Sequence, residues 1–180
     1  RPSLEIRRLR GGDITWKRRH GVVGWRVTYP HWDGGLLRIG GRDAHLVDKF
    51  AQTKPEIFAE DVNGKRASLS GHLGKNSLEL CVSNPDIVGL VVSEWEAGGA
   101  PELVNACCAD AAVDCTCHEC LALDERLSGV KRTKEDFRRR SWTNWPNLSD
   151  RYVWFWNQLV TRMREKNPKV VLCVSFYVAT

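Results

Sequence analysis

Apolar positions along this chain fall into two rhythms, an every-second-residue alternation and a three-to-four-residue helical spacing, and these rhythms exchange places. Residues 24–32, GWRVTYPHW, alternate and are rich in β-formers, which predicts a strand ending near His31. Leu46, Val47 and Phe50 then keep a short helical spacing. The run PEIFAEDVNGKRASLS predicts a small hairpin turning at Asn63–Gly64, because Asn-Gly readily adopts the left-handed backbone of a tight turn. Residues 77–84 predict a second strand. Ile87, Val88, Val91 and Trp95 form one helical face, with Asn84 or Ser83 to cap it, Pro85 in its first turn and Gly98–Gly99 to end it. Residues 101–110 predict a third strand. Residues 123–147 carry charges and turn-formers with little periodicity, and they predict an inserted loop holding one helical turn. The strongest helical stripe is Tyr152, Phe155, Trp156, Leu159, Val160 and Met163. KVVLCVSFYVAT, residues 169–180, is an apolar run of the kind that parallel strands bury on both faces.

Strands alternating with helices imply an α/β protein with parallel strands. Four strands and three helical segments amount to about half of a (β/α)8 TIM barrel, whose usual length is roughly 250 residues. The expectation is therefore a partial barrel, with residues 1–180 a single fragment of a catalytic-type domain and the remainder of the parent chain missing. A small open α/β sheet is the alternative. No glycine-rich phosphate loop follows any strand, which counts against a dinucleotide fold.

Composition changes this picture little. With 42% apolar residues the chain can build one real core. No apolar run approaches the ~20 residues of a membrane-spanning helix, and the first residues lack a signal-peptide pattern. The net charge of +5 is concentrated in WKRRHG and VKRTKEDFRRRSW. No nucleic-acid-binding signature accompanies these clusters, so they read as solvated faces with acidic neighbours. The expected partners include neither nucleic acid nor membrane. Trp142, Trp145, Trp154 and Trp156 lie close together, either as core or as flat faces on which sugar rings stack.

In barrels, reactive side chains stand at the C-terminal ends of strands. That rule selects Tyr29, His31 and Asp33 after the first strand, Ser83 and Asn84 after the second, Cys108 and Asp110 after the third and Tyr177 in the fourth. Cysteines form a separate cluster: Cys115, Cys117 and Cys120 make C-x-C-x-x-C, with Cys107, Cys108 or His118 as a fourth partner. Such spacing predicts a local staple, either a structural zinc site or a disulfide. Free thiols and a redox pair are the other readings.

FAEDVNGKR, LELCVSNPDIV, CTCHECLALD and LSDRYVWFWNQLV, in this order, resemble a bacterial family long labelled a domain of unknown function. Its members include barrel glycoside hydrolases, among them endo-β-N-acetylglucosaminidases that act on complex N-glycans. The resemblance runs from about Trp16 to Thr180. It implies a (β/α)8 barrel, hydrolysis of O-glycosyl bonds in a glycan substrate without a catalytic cofactor, and an exported parent protein several times longer than this chain. Relatives typically carry an Asn-Asp-Gly core before the cysteines, often with an acidic residue ahead of it. The matching positions are Cys108, Ala109, Asp110 and Ala111, so Asp110 becomes the candidate catalytic carboxylate. Tyr29, His31, Asn84 and Tyr177 become candidate pocket residues. His31 and His45 both match the histidine that relatives often carry. The alternatives are a non-catalytic carbohydrate-binding barrel and a zinc-stabilised interaction module.

Overall fold

A computed structural model of the protein describes residues 46–66, 79–106, 114–139 and 146–173. Helix α1, Leu46–Phe50, leads into a 3-10 turn at Pro55–Ile57. The predicted hairpin follows. Glu60 and Arg66 face each other across an antiparallel bridge, Asp61 and Lys65 share a backbone hydrogen bond, and Gly64 takes φ +76° at the turn. Asp61 tightens the turn by accepting from the amides of Asn63 and Lys65.

Helix α2, Ile87–Ala97, buries Ile87, Val91 and Trp95, three of the four residues of the predicted stripe, while Val88 is half-buried. Asn84 accepts from the Asp86 amide just before the helix. Gly98 closes the helix, and Gly99 follows at φ +89°, a conformation that costs glycine nothing. Strand β1, Leu103–Asn105, comes next. Helix α3, His118–Ser128, and short helix α4, Lys134–Arg138, lead to the long helix α5, Ser149–Arg164. Strand β2, Val171–Cys173, pairs in parallel with β1, matching Leu103 to Val171 and Asn105 to Cys173.

The fold is thus mixed α/β with a two-stranded parallel sheet among the described residues. Helix α5 is its hub, packing against α2, α3 and β2. Its buried face is Phe155, Trp156, Leu159 and Met163, with Tyr152 and Val160 half-buried at the margin. Two tryptophan N–H groups pin helices to the strand region: Trp95 Nε1 donates to the Pro101 carbonyl at 3.0 Å, and Trp156 Nε1 to the Ala106 carbonyl at 2.9 Å. Both rings are therefore core components and not sugar platforms. Trp154 is half-buried, and the Arg126 guanidinium lies over its ring. No helix among the described residues is long and apolar enough to cross a membrane.

Two expectations are corrected, and a third lies in part outside the described residues. Leu80 makes an isolated antiparallel bridge to Phe58 instead of joining the parallel pair, so the described part of residues 77–84 is a β-bridge segment laid against the 3-10 turn. Residues 123–128 are helical, forming the last part of α3, and only α4 supplies the short helical turn expected there. The parallel sheet has two described strands, and the expected first strand near Val27 lies outside the described residues.

Candidate metal centre

Two separate pieces of chain bring four cysteines together. The first is the bridge segment. Backbone hydrogen bonds from Cys81 N to the Ile57 carbonyl (2.8 Å) and from Ala59 N to the Glu79 carbonyl (2.9 Å) fix where Cys81 emerges. The second is the stretch entering α3. Thr116 donates both its amide (2.8 Å) and its hydroxyl (3.0 Å) to the Glu60 carbonyl, seating the C-x-C turn on the hairpin. Cys117 is the N-cap of α3, and its sulfur accepts from the Cys120 amide at 3.4 Å. The Cys115 sulfur accepts from the Glu60 amide at 3.3 Å.

The result is a cluster of Cys81, Cys115, Cys117 and Cys120, all four buried, with every sulfur within 4.8 Å of the others. Cys81 Sγ lies 3.7 Å from Cys117 Sγ and 3.9 Å from Cys120 Sγ. A disulfide requires about 2.05 Å, and these cysteines are free thiols. Four sulfurs at about 2.3 Å from one central zinc would sit about 3.8 Å apart at the corners of a tetrahedron. The Cys81–Cys117 and Cys81–Cys120 spacings match that value, and the remaining pairs lie within 4.8 Å. The donor set is all sulfur, which suits thiophilic ions and not the oxygen-seeking Ca²⁺ or Mg²⁺. The four buried cysteines could therefore hold a metal ion such as zinc.

Crowding four thiols together divides their protons unequally. Hydrogen bonds from Cys115, Cys117 and Cys120 hold Cys81 far below the ordinary thiol range. Cys117, bonded by Cys115 and Cys120, is drawn down to about 5. Cys115 is pushed up, first by its bond to Cys117, and Cys120 is pushed up, first by its bond to Cys115. Binding of a dication would displace the protons that these crowded sulfurs share. Ser83 Oγ, 3.0 Å from Cys120 Sγ, adds a hydroxyl at the rim.

Two arginines enclose the cluster. Arg151 is 1% exposed. Its Nε donates to Asp124 at 2.7 Å and its Nη2 also meets that carboxylate. The remaining N–H groups reach the carbonyls of two ligand residues, Cys115 at 2.8 Å and Cys120 at 3.3 Å. Burial works against the Arg151 charge, but the Asp124 bond and the nearby charges of Cys120 and Asp124 together outweigh it, so its pKa stands above the ordinary arginine value. Arg66 approaches from the hairpin. Its Nη1 donates to the Glu56 carbonyl at 3.2 Å and the Phe58 carbonyl at 2.8 Å, on either side of Ile57, whose own carbonyl accepts from the Cys81 amide.

Cys115, Cys117 and Cys120 are brought together as expected, but the fourth member differs from the candidates named. His118 projects into solvent with its side chain 91% exposed, and Cys107 and Cys108 lie outside the described residues. Cys81 takes the position. Alone in an apolar run, it reads as a small core residue. The one available signal was LELC-V-S, a cysteine at a predicted strand end, where the placement rule already selected Asn84. Asn84 itself is used locally, donating to the Glu56 carbonyl at 3.2 Å, and it lines an open groove between α2 and α5. Tyr29, His31, Asp33, Asp110 and Tyr177 lie outside the described residues.

Residues 42–180, which include all four cysteines, match the family model described as Domain of unknown function (DUF4838). The chain belongs to this family. No curated protein and no solved structure matches the chain. The metal-type cluster thus lies wholly inside the DUF4838 region, as do both β-strands and helices α1 to α5.

Proposed function

We propose that this DUF4838 chain is part of a glycan-acting (β/α)8 barrel that hydrolyses O-glycosyl bonds, and that a structural zinc ion on Cys81, Cys115, Cys117 and Cys120 braces the frame beside the sugar site. The observation that carries the reading is the parallel register of β1 and β2. Parallel strands end on the same edge, and in α/β proteins that edge is where reactive groups collect. The chain leaves β1 at Asn105 towards Asp110, and it leaves β2 at Cys173 towards Tyr177. Asp110 would act as the proton donor or base, or as the group that orients the substrate's own acetamide. Tyr29, His31, Asn84 and Tyr177 would line the pocket.

The sulfur cluster supports the second half of the proposal. Export of the parent chain would place four adjacent thiols in an oxidising compartment, where unprotected pairs become disulfides. Ligation of one ion keeps all four as thiolates at the spacing observed.

The test uses the full-length parent protein and a complex N-glycan carrying N-acetylhexosamine. Asp110→Asn is expected to abolish hydrolysis while leaving the melting temperature within about 2 °C, the behaviour of a residue that serves the substrate and does not hold the fold. Unchanged hydrolysis in this variant, or a wild-type protein that neither cleaves nor binds glycans, overturns the reading. Binding without cleavage by the wild type assigns it instead to a carbohydrate-binding barrel.

A further inference from the structure

The two arginines beside the sulfur cluster belong to different elements. Arg66 comes from the far strand of the hairpin and Arg151 from the first turn of α5. A zinc ion with four thiolates carries a formal charge of −2, and enclosing that charge away from water is costly unless donors surround it. Backbone amides of Glu60 and Cys120 point at Cys115 Sγ and Cys117 Sγ. The guanidinium of Arg66 donates to the Glu56 and Phe58 carbonyls, and so braces the stretch whose Ile57 carbonyl holds the amide of Cys81, the one cysteine supplied by the separate segment. Arg151 grips the backbone carbonyls of Cys115 and Cys120, the first and last ligands of the C-x-C-x-x-C turn, while Asp124 fixes the orientation of its fork.

Resting on the zinc reading above, we propose that Arg66 and Arg151 are the positioning residues that set the metal affinity of this centre, Arg66 by bracing the backbone on which Cys81 is seated and Arg151 by clamping the turn that carries the other three. Groups that orient metal ligands or hydrogen-bond to them commonly change affinity when removed. Neither arginine touches the ion, so the number and kind of ligands stay the same when they are altered. Arg66 is the cleaner probe because its side chain is 27% exposed and its removal leaves no buried partner charge, Glu60 being held also by Lys134 at 2.8 Å. Arg151 anchors a buried carboxylate, so it is probed by Arg151→Lys, which keeps the charge and loses the fork.

The experiment titrates the purified full-length protein with Co²⁺, reading the absorption bands of tetrahedral sulfur coordination. Zinc affinity is then measured by competition with a chromophoric chelator. The wild type is expected to bind one ion with a four-sulfur spectrum. Arg66→Gln and Arg151→Lys are each expected to weaken zinc binding by about 10- to 100-fold with that spectrum retained, and Arg66→Lys, which restores a charged donor, to recover most of the loss. A wild type that binds no ion sinks the zinc reading itself. A wild type that binds, with Arg66→Gln and Arg151→Lys within twofold of it, overturns this inference and leaves the zinc reading standing.

Discussion

Cys81 shows how one residue can be invisible in a sequence and decisive in a structure. The C-x-C-x-x-C spacing marks three ligands because a tight turn followed by the first turn of a helix brings such positions together. The fourth ligand is set by tertiary packing, here the bridge between Leu80 and Phe58, and no local spacing encodes it. His118 looked eligible by proximity, but as the first residue of α3, next to the capping Cys117, it points outward. The two residues therefore have opposite expected behaviour. Cys81→Ser should remove the four-sulfur Co²⁺ spectrum and lower zinc affinity by at least about 10-fold, consistent with the loss of a soft thiolate ligand. His118→Ala should leave both unchanged. A normal spectrum in Cys81→Ser would exclude it as a ligand.

At the scale of elements, the strongest stripes were legible and the disguised ones were not. Helices α2 and α5 could be read from residues such as Val91, Trp95, Phe155 and Leu159, which recur on one face and are buried there. Helix α3 could not, because its inward face runs Cys120, Leu123 and Asp124, and a carboxylate at a core position breaks the apolar pattern. Arg151, the partner on α5, likewise sits among the polar letters of the sequence while being fully enclosed in the fold. The pair crosses from α3 to α5, so its loss should be felt by both helices. Asp124→Asn leaves a buried guanidinium without its counter-charge, and such a break typically costs about 3–5 kcal/mol. Chemical denaturation of metal-loaded protein measures it. A loss below about 1 kcal/mol would mean that the two carbonyls of Cys115 and Cys120 alone suffice to hold Arg151.

For the whole molecule, the parallel pairing of the segments around Val104 and Leu172 was legible because apolar strands separated by helices have few other ways to bury both faces. The same logic overreached at Leu80, whose strand-like run serves the hairpin and the sulfur cluster. The cluster joins the hairpin, the bridge segment and the start of α3, while Arg151 carries the connection into α5, which packs on α2 and β2. Removing the ion should therefore destabilise the fold as a unit. Because only the folded form presents four converging sulfurs, zinc at about a thousandfold above its dissociation constant adds about 4 kcal/mol of stability. Treatment with a strong chelator should lower the melting temperature by several degrees, and readdition of zinc under reducing conditions should restore it. An identical melting curve with and without chelator would show that the cluster is a set of core thiols.

The separation of the ligands also bears on biosynthesis. Cys115 to Cys120 leave the ribosome almost together, but Cys81 precedes Cys115 by 34 residues (115 − 81). Between them lie α2 and β1, so the nascent chain exposes a solitary thiol throughout the making of an entire helix and strand. Closing a loop of that length costs about 3 kcal/mol of chain entropy, which a half-made site of one sulfur does nothing to offset. Full enclosure of an ion must wait for the emergence of Cys120 and the docking of the hairpin. Capture of a metal by this cluster would thus be a late event that certifies the arrangement of the preceding segments, and a chain that stalls before it would present reactive sulfur to whatever oxidant or foreign cation is near.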